Sequence, residues 1–281
     1  MCSECLDCFK HWLSNLPCRV VAEIAAWPAT VWVVIVLLPP SETKRSGGDG
    51  LPLRFGELGS PALGPLRREL VDELVALAAE PAACRRALGI SPAQDAEIER
   101  NATLLSSPTL PAINRYTGVL YDALDVESLR GATAARARAR LAVGSALFGL
   151  LRADDRIPAY RLSASSKLPG SATLASRWRP VLEPVLAELA ATELVVDLRS
   201  GSYAGLGKLP DAVRVDVLAE HPDGRRTVVT HFNKAHKGRL ARVLASTRSE
   251  PGDAAAVATV ARRAGMQVER SGNDLTVVVT A

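Results

Sequence analysis

Apolar positions follow two rhythms along this chain: short unbroken runs that read as buried strands, and i, i+3, i+4 spacings that read as helices. Residues 31–38 form a nearly continuous β-branched and leucine run closed by Pro39 and Pro40, the pattern of a strand covered on both faces. Leu66, Leu70, Val71, Leu74, Leu77 and Ala78 then recur at helical spacing with charges between them, and Pro81 ends that helix. A second helix is expected up to Leu88. Gly89 and Ile90 break it, and Ser91-Pro92 opens a third helix that runs to about Asn101.

Further along, residues 117–124 and 126–130 predict short helices, and residues 142–150 a single apolar strand. Residues 173–190 predict a long amphipathic helix that has to accommodate Pro180 and Pro184. Residues 195–198 read as another buried strand. Residues 213–219 and 227–232 flank His221-Pro222-Asp223-Gly224, a turn sequence, and predict an antiparallel hairpin. Helices follow at 234–246 and 253–264, and a second hairpin, 266–270 with 275–280, closes the chain. Strands and helices alternate without strict βαβ regularity. That predicts an α+β fold: one compact domain over residues 31–281, a mixed sheet flanked by helices.

Composition narrows the class. Hydrophobic residues make up 48% of the chain, too many for a disordered protein, while aromatics are only 4%, so the core is built from Ala, Val and Leu. The net charge of +4 is too small to name a partner, and only local clustering of charge is informative. Residues 1–30 stand apart. Cys2, Cys5 and Cys8 at three-residue spacing, followed by Cys18, resemble a thiolate set for zinc or an iron–sulfur cluster, but no second cysteine pair or glycine-rich knuckle accompanies them. The segment is read as an extension outside the fold, with a metal-binding tail as the alternative. The apolar run 24–38 falls short of the ~18–20 residues of a membrane span and contains Pro28. A start carrying Glu4 and Asp7 is unlike a secretory signal, so a cytoplasmic protein is expected.

No phosphate-binding P-loop, dinucleotide fingerprint or HExxH is present, and the four histidines have no metal-ligand spacing, so neither cofactor nor metal is expected in the body of the chain. Asp154-Asp155, flanked by Arg152 and Arg156, reads as a surface turn. The main electrostatic feature is the stretch 225–248, where Arg225, Arg226, Lys234, Lys237, Arg239, Arg242 and Arg248 occur with no acidic residue between them. Lys234 and Lys237 share a helix face. Such a stretch suits a phosphate backbone, or is a solvated helix face in an arginine-rich composition. Gly89, between two helices, is either a plain C-cap or the turn of a helix-hairpin-helix that offers backbone amides to phosphate. Three loops place polar groups beside strand or helix ends: Asn114-Arg115-Tyr116-Thr117-Gly118, Pro158-Ala159-Tyr160-Arg161-Leu162, and Asp197-Leu198-Arg199-Ser200-Gly201-Ser202-Tyr203. If they converge with Lys44 and Lys234 they form an anion pocket; if not, they are turns and caps.

Leu37-Leu38-Pro39-Pro40-Ser41-Glu42-Thr43-Lys44, Tyr116-Thr117-Gly118-Val119-Leu120-Tyr121, and Phe148-Gly149-Leu150-Leu151-Arg152 with Pro158-Ala159-Tyr160-Arg161-Leu162 come in that order. Asp197-Leu198-Arg199-Ser200-Gly201-Ser202-Tyr203 and Phe232-Asn233-Lys234-Ala235-His236-Lys237-Gly238-Arg239 complete the series. Together they resemble the peroxide stress protein YaaA family. The resemblance implies a compact α+β fold with a helix-hairpin-helix element, a positively charged cleft, DNA binding, and a role in limiting iron-dependent damage during peroxide stress. The leading expectation is therefore a non-catalytic, DNA-binding stress protein. Lys44, Arg115, Arg161, Lys234, Lys237 and Arg239 line its cleft, and Gly89 sits in the hairpin. The alternative is an enzyme acting on a small phosphorylated or nucleotide ligand in the same cleft, through Tyr116, Arg161 and Ser200.

Overall fold

The computed structural model describes residues 34–228 and 233–280, all within a unit that runs over residues 33–281. The four N-terminal cysteines, the first three residues of the predicted opening strand, and residues 229–232 of the predicted hairpin lie outside the described residues. Strand β1 (Val34–Leu38) is buried at every position, as its unbroken apolar run requires. Helices α1 (Gly64–Leu77), α2 (Pro81–Leu88) and α3 (Ala96–Ala102) follow, then β2 (Leu110–Pro111), α4 (Ala112–Arg115), α5 (Val119–Leu124) and α6 (Gly131–Arg140). The middle of the chain forms β3 (Leu141–Ser145), β4 (Gly149–Arg152), β5 (Arg156–Ile157), α7 (Leu174–Thr192), β6 (Leu194–Asp197) and α8 (Gly201–Ala204). The last part forms β7 (Val213–Glu220), β8 (Arg226–Val228), α9 (Asn233–Ser246), α10 (Ala254–Arg263), β9 (Gln267–Ser271) and β10 (Asp274–Thr280).

The main sheet has the order β4-β3-β1-β6-β7-β10-β9, with β8 paired to β7. Strands β3, β1, β6, β7 and β10 are parallel, and β4, β8 and β9 are antiparallel to their neighbours. This is the mixed-sheet α+β architecture the residue pattern predicts. From β1 the chain moves to β3 on one side, and from β6 it moves to β7 on the other. Since β1 and β6 are adjacent, the segments leaving their carboxyl ends part in opposite directions and open a crevice there, the usual place for a ligand in such a sheet.

Two elements depart from expectation. Residues 142–150 are a hairpin rather than one strand: β3 and β4 pair antiparallel around Ala146-Leu147-Phe148. Every residue from Leu141 to Leu151 is buried, so no exposed position marks the turn. The turn is held instead by Ser145 Oγ, which accepts the amides of Leu147 (3.2 Å) and Phe148 (3.0 Å). It also needs Gly149, whose φ is +71° and whose missing Cβ would stand 2.7 Å from the Trp178 ring. Helix α6 carries no periodic signal because its sequence is mostly alanine and arginine, and its buried positions are Ala137 and Arg140. Helix α7 forms despite Pro180 and Pro184, since both lie on its solvent face, where water can serve the carbonyls they leave unpaired. The predicted helix at 126–130 contracts to a single 3-10 turn, Val126–Ser128.

Gly89 sits at φ +64° as the left-handed cap of α2, and the Ile90 amide donates to Arg85 O at 3.1 Å. Ser91 and Gln94 then cap one another reciprocally, and Arg85 pairs with Asp95 across the connection to α3. Two fully or almost fully buried arginines act as carbonyl clamps. Arg67 donates to the carbonyls of Phe148 (2.9 Å), Gly59 (2.7 Å) and Leu150 (2.7 Å). Arg140 donates to Leu244, Thr247 and Ser249 and pairs with Glu250 at 2.6 Å.

A crevice at the carboxyl end of the sheet

Pro39 and Pro40 end β1, and the chain turns through Ser41–Thr43 to bring Lys44 into a two-residue bridge with Tyr116. Reciprocal bonds fix this contact: the Thr117 amide donates to Thr43 O (3.2 Å), and Thr43 Oγ1 donates to Thr117 O (3.2 Å). Tyr121 stacks on Tyr116 at 5.6 Å and donates its hydroxyl to Pro39 O at 2.9 Å, which holds the end of β1 against α5. Lys44 is only 8% exposed. Its Nζ donates to Ser41 O at 3.0 Å and lies 4.1 Å from the centre of the Tyr160 ring and 5.3 Å from that of Tyr116. Burial is the largest influence on this amine and Arg161 adds to it, so its pKa is pushed down to about 7 although Glu42 works the other way.

Beneath the lysine runs a chain of three hydroxyls. Tyr116 and Tyr160 meet at 2.8 Å, and Tyr160 meets Ser145 Oγ at 2.7 Å. Ser145 Oγ already accepts two amides, so its own proton goes to Tyr160, and Tyr160 in turn donates to Tyr116. The Tyr116 proton then has no acceptor among the described residues. Burial pushes the Tyr116 phenol up to about 12 and also raises Tyr160 well above its ordinary value, so both stay protonated at neutral pH.

Arg161 shares Glu42 with the lysine: Nη2 reaches Glu42 Oε2 at 3.1 Å, while Lys44 Nζ faces the backbone carbonyl of the same residue. The backbone of Arg161 is clasped by Asn101, whose side chain donates to its carbonyl (2.9 Å) and accepts its amide (2.8 Å). The Nε of Arg161 is buried and has no hydrogen-bond partner among the described residues. Across the crevice, Arg199 is buried and forms a two-pronged pair with Asp197 (3.0 and 2.8 Å) while donating to Gly207 O. It occupies space that Gly144 leaves, since a Cβ there would be 2.8 Å from Arg199 Cδ. Ser200 and Gly201 follow, exposed. Lys237, half-buried on α9, donates to Leu198 O at 3.2 Å, and burial lowers its pKa against the opposing pull of Asp216 and Asp197. Helix α9 is drawn close to α5 at Gly238, where a Cβ would meet Leu120 O at 2.2 Å.

The structure thus brings Lys44, Tyr116 and Arg161 together, with Ser200 at the neighbouring strand end and Lys237 reaching that end from α9. Lys234 and Arg239 are exposed and have no ion-pair partner among the described residues. Arg115 is different. It is fully buried and donates to the carbonyls of Ile157 (3.1 Å), Gly47 (2.8 Å), Pro108 (3.1 Å) and Arg45, so it locks the loop after Lys44 and presents no guanidinium to the cleft. No hydrogen bond among the described residues ties Gly89 to this group. Tyr160 joins the group from one of the three candidate loops, whereas Ser145, Glu42 and Asn101 carry no site signal of their own in the sequence; Ser145 lies inside an apolar run.

A polar hollow of about 130 Å³ opens beside Tyr116, lined also by Arg45, Asn114, Thr117, Asp122 and Glu127. Another of about 370 Å³ lies along Ser46, Gly47, Arg100 and Ala159. Among the described residues no group of His, Cys, Asp and Glu side chains could hold a metal ion, and no helix is long and apolar enough to cross a membrane.

A family profile described as "Peroxide stress protein YaaA" matches residues 34–269. A UPF0246 protein of Corynebacterium efficiens is 48% identical over 240 residues, covering 84% of this chain and 95% of its own. One from Streptomyces coelicolor is 43% identical over 239 residues, covering 84% and 92%. An uncharacterised protein of Campylobacter jejuni is 26% identical over 217 residues, covering 76% and 85%.

Proposed function

Because the chain belongs to the peroxide stress protein YaaA family, we propose that it acts in the peroxide response as a cytoplasmic DNA-binding protein that limits iron-dependent damage. DNA lies along the carboxyl-end crevice, with phosphates met by Lys234 and Arg239 from α9 and by the exposed Ser200-Gly201 backbone. The observation that supports this most is the contrast between neighbours on one helix. Lys237 is spent on Leu198 O and Arg242 on the carbonyls of Leu124 and Asp125, whereas Lys234 and Arg239 stand in solvent with no acidic partner among the described residues. Uncommitted cations on one exposed helix give affinity without base readout. In this reading Gly89 is a helix cap and not a phosphate contact, since the Ser91 amide that follows is taken by Gln94 Oε1 at 3.2 Å. The test is a titration of the full chain with duplex and single-stranded DNA at several salt concentrations. Lys234→Ala with Arg239→Ala is expected to weaken binding to every sequence and to flatten the salt slope by roughly two. Unchanged affinity and slope would overturn it.

One observation favours a second reading, a small anionic ligand bound for chemistry: the buried Nε of Arg161, which stands beside Lys44 and has no partner among the described residues. Such a donor costs stability unless something completes its bonding.

A further inference from the structure

We propose that Lys44 is a nucleophilic amine that forms an imine with a small aldehyde or ketone whose anionic group is held by Arg161. This shares its site with the small-ligand reading and does not depend on the DNA reading. Three features of the geometry carry it. The amine is desolvated and has no carboxylate as a salt-bridge partner among the described residues, the Glu42 carboxylate being turned to Arg161. Arg161 is tied to the same residue as Lys44, so a guanidinium with an unused buried donor stands beside the amine. The ordered hydroxyl chain Ser145–Tyr160–Tyr116 ends on a phenol whose proton has no acceptor among the described residues.

The step balances without an oxidant or a metal. The Lys44 nitrogen lone pair attacks the carbonyl carbon, and the π pair moves to oxygen, which takes a proton from the Tyr116 phenol. The nitrogen returns a proton to the phenolate. The Tyr116 phenol then protonates the carbinolamine hydroxyl, which leaves as water while the nitrogen lone pair closes the C=N bond, and the remaining N–H proton returns to the phenolate. Carbonyl and amine become imine and water, and the phenol is regenerated. The charged and titratable groups acting on the amine are Glu42 and Glu97, which favour its protonation, and Arg161 and Arg100, which oppose it. Burial outweighs them and leaves a large share of the amine uncharged near neutral pH, which a nucleophile requires.

The experiment uses the full chain with glyoxylate, with glyceraldehyde 3-phosphate and with uncharged acetaldehyde, each trapped by borohydride and read by peptide mass spectrometry. Lys44 is expected to be modified at least ~10-fold faster than exposed Lys167 and Lys208 at pH 7.4, because an ordinary lysine is almost entirely protonated there. Its rate should rise with a midpoint near pH 7. The anionic aldehydes should outpace acetaldehyde at Lys44 but not at Lys167. Preference for glyoxylate assigns Arg161 a carboxylate, and preference for the phosphorylated aldehyde assigns it a phosphate. Arg161→Lys should keep the preference and Arg161→Met lose it; the comparison of charged with uncharged aldehyde needs no variant and survives misfolding of either. Lys44 left unmodified, or modified no faster than Lys167, overturns the proposal. So does equal reaction with charged and uncharged aldehydes.

Discussion

Replacing Tyr160 with Phe removes one oxygen from the middle of the buried hydroxyl chain and leaves the aromatic face over Lys44 in place. Ser145 then has a proton without an acceptor, and Tyr116, itself 2% exposed, loses its donor. One buried donor left unsatisfied costs about 1–3 kcal/mol. A unit of this size loses roughly 2–4 °C of melting temperature per kcal/mol, so a cost of about 2 kcal/mol lowers Tm by about 4–8 °C. Urea unfolding followed by circular dichroism should show a lower midpoint with an unchanged slope. Adding Tyr116→Phe removes the second phenol as well, so the double variant should fall less than the sum of the single ones, by at least about 0.5 kcal/mol. A Tyr160→Phe protein within about 0.5 kcal/mol of the parent, or strictly additive variants, would refute the ordered chain.

Lys44→Met should raise stability most at low pH. The folded amine has a depressed pKa, so its contribution is fullest above the unfolded value of about 10.4 and is lost as pH falls through about 7; the gap between Met variant and parent should therefore close as pH rises from 7 to 10, and a pH-independent gap would contradict it. Cys84 is fully buried with its thiol pKa raised by burial, so iodoacetamide should label it only after denaturation; rapid labelling of the folded chain would place that thiol at the surface. Gly89→Ala meets no atom within 4 Å and should cost only the left-handed strain, about 1 kcal/mol, with DNA affinity unchanged; a large loss of affinity would make the α2–α3 turn a contact.

Much of the sheet was legible because its central strand has no polar position from Val34 to Leu38, and because turn sequences such as His221–Gly224 separate the later strands. The β3–β4 hairpin was not, since burial on both sides of its turn erased the polar marker that a sequence pattern relies on. Charge was the less reliable guide. Arg67, Arg115, Arg140 and Arg199 are all buried, and their donors satisfy backbone carbonyls, Asp197 or Glu250, so an arginine-rich stretch says little about surface potential until those partners are counted. Lys44, Tyr116 and Arg161 could each be picked out beside strand and helix ends. Their meeting through Glu42 and the Tyr160 ring depends on sheet order, which no local pattern contains.

Photo-cross-linking of the full chain to a duplex carrying photoreactive groups along its backbone tests the crevice most directly. Adducts are expected on peptides containing Ser200 and residues 234–239, declining as salt rises. Adducts confined to the α2–α3 turn, or to surfaces away from the carboxyl end of β1 and β6, would contradict it.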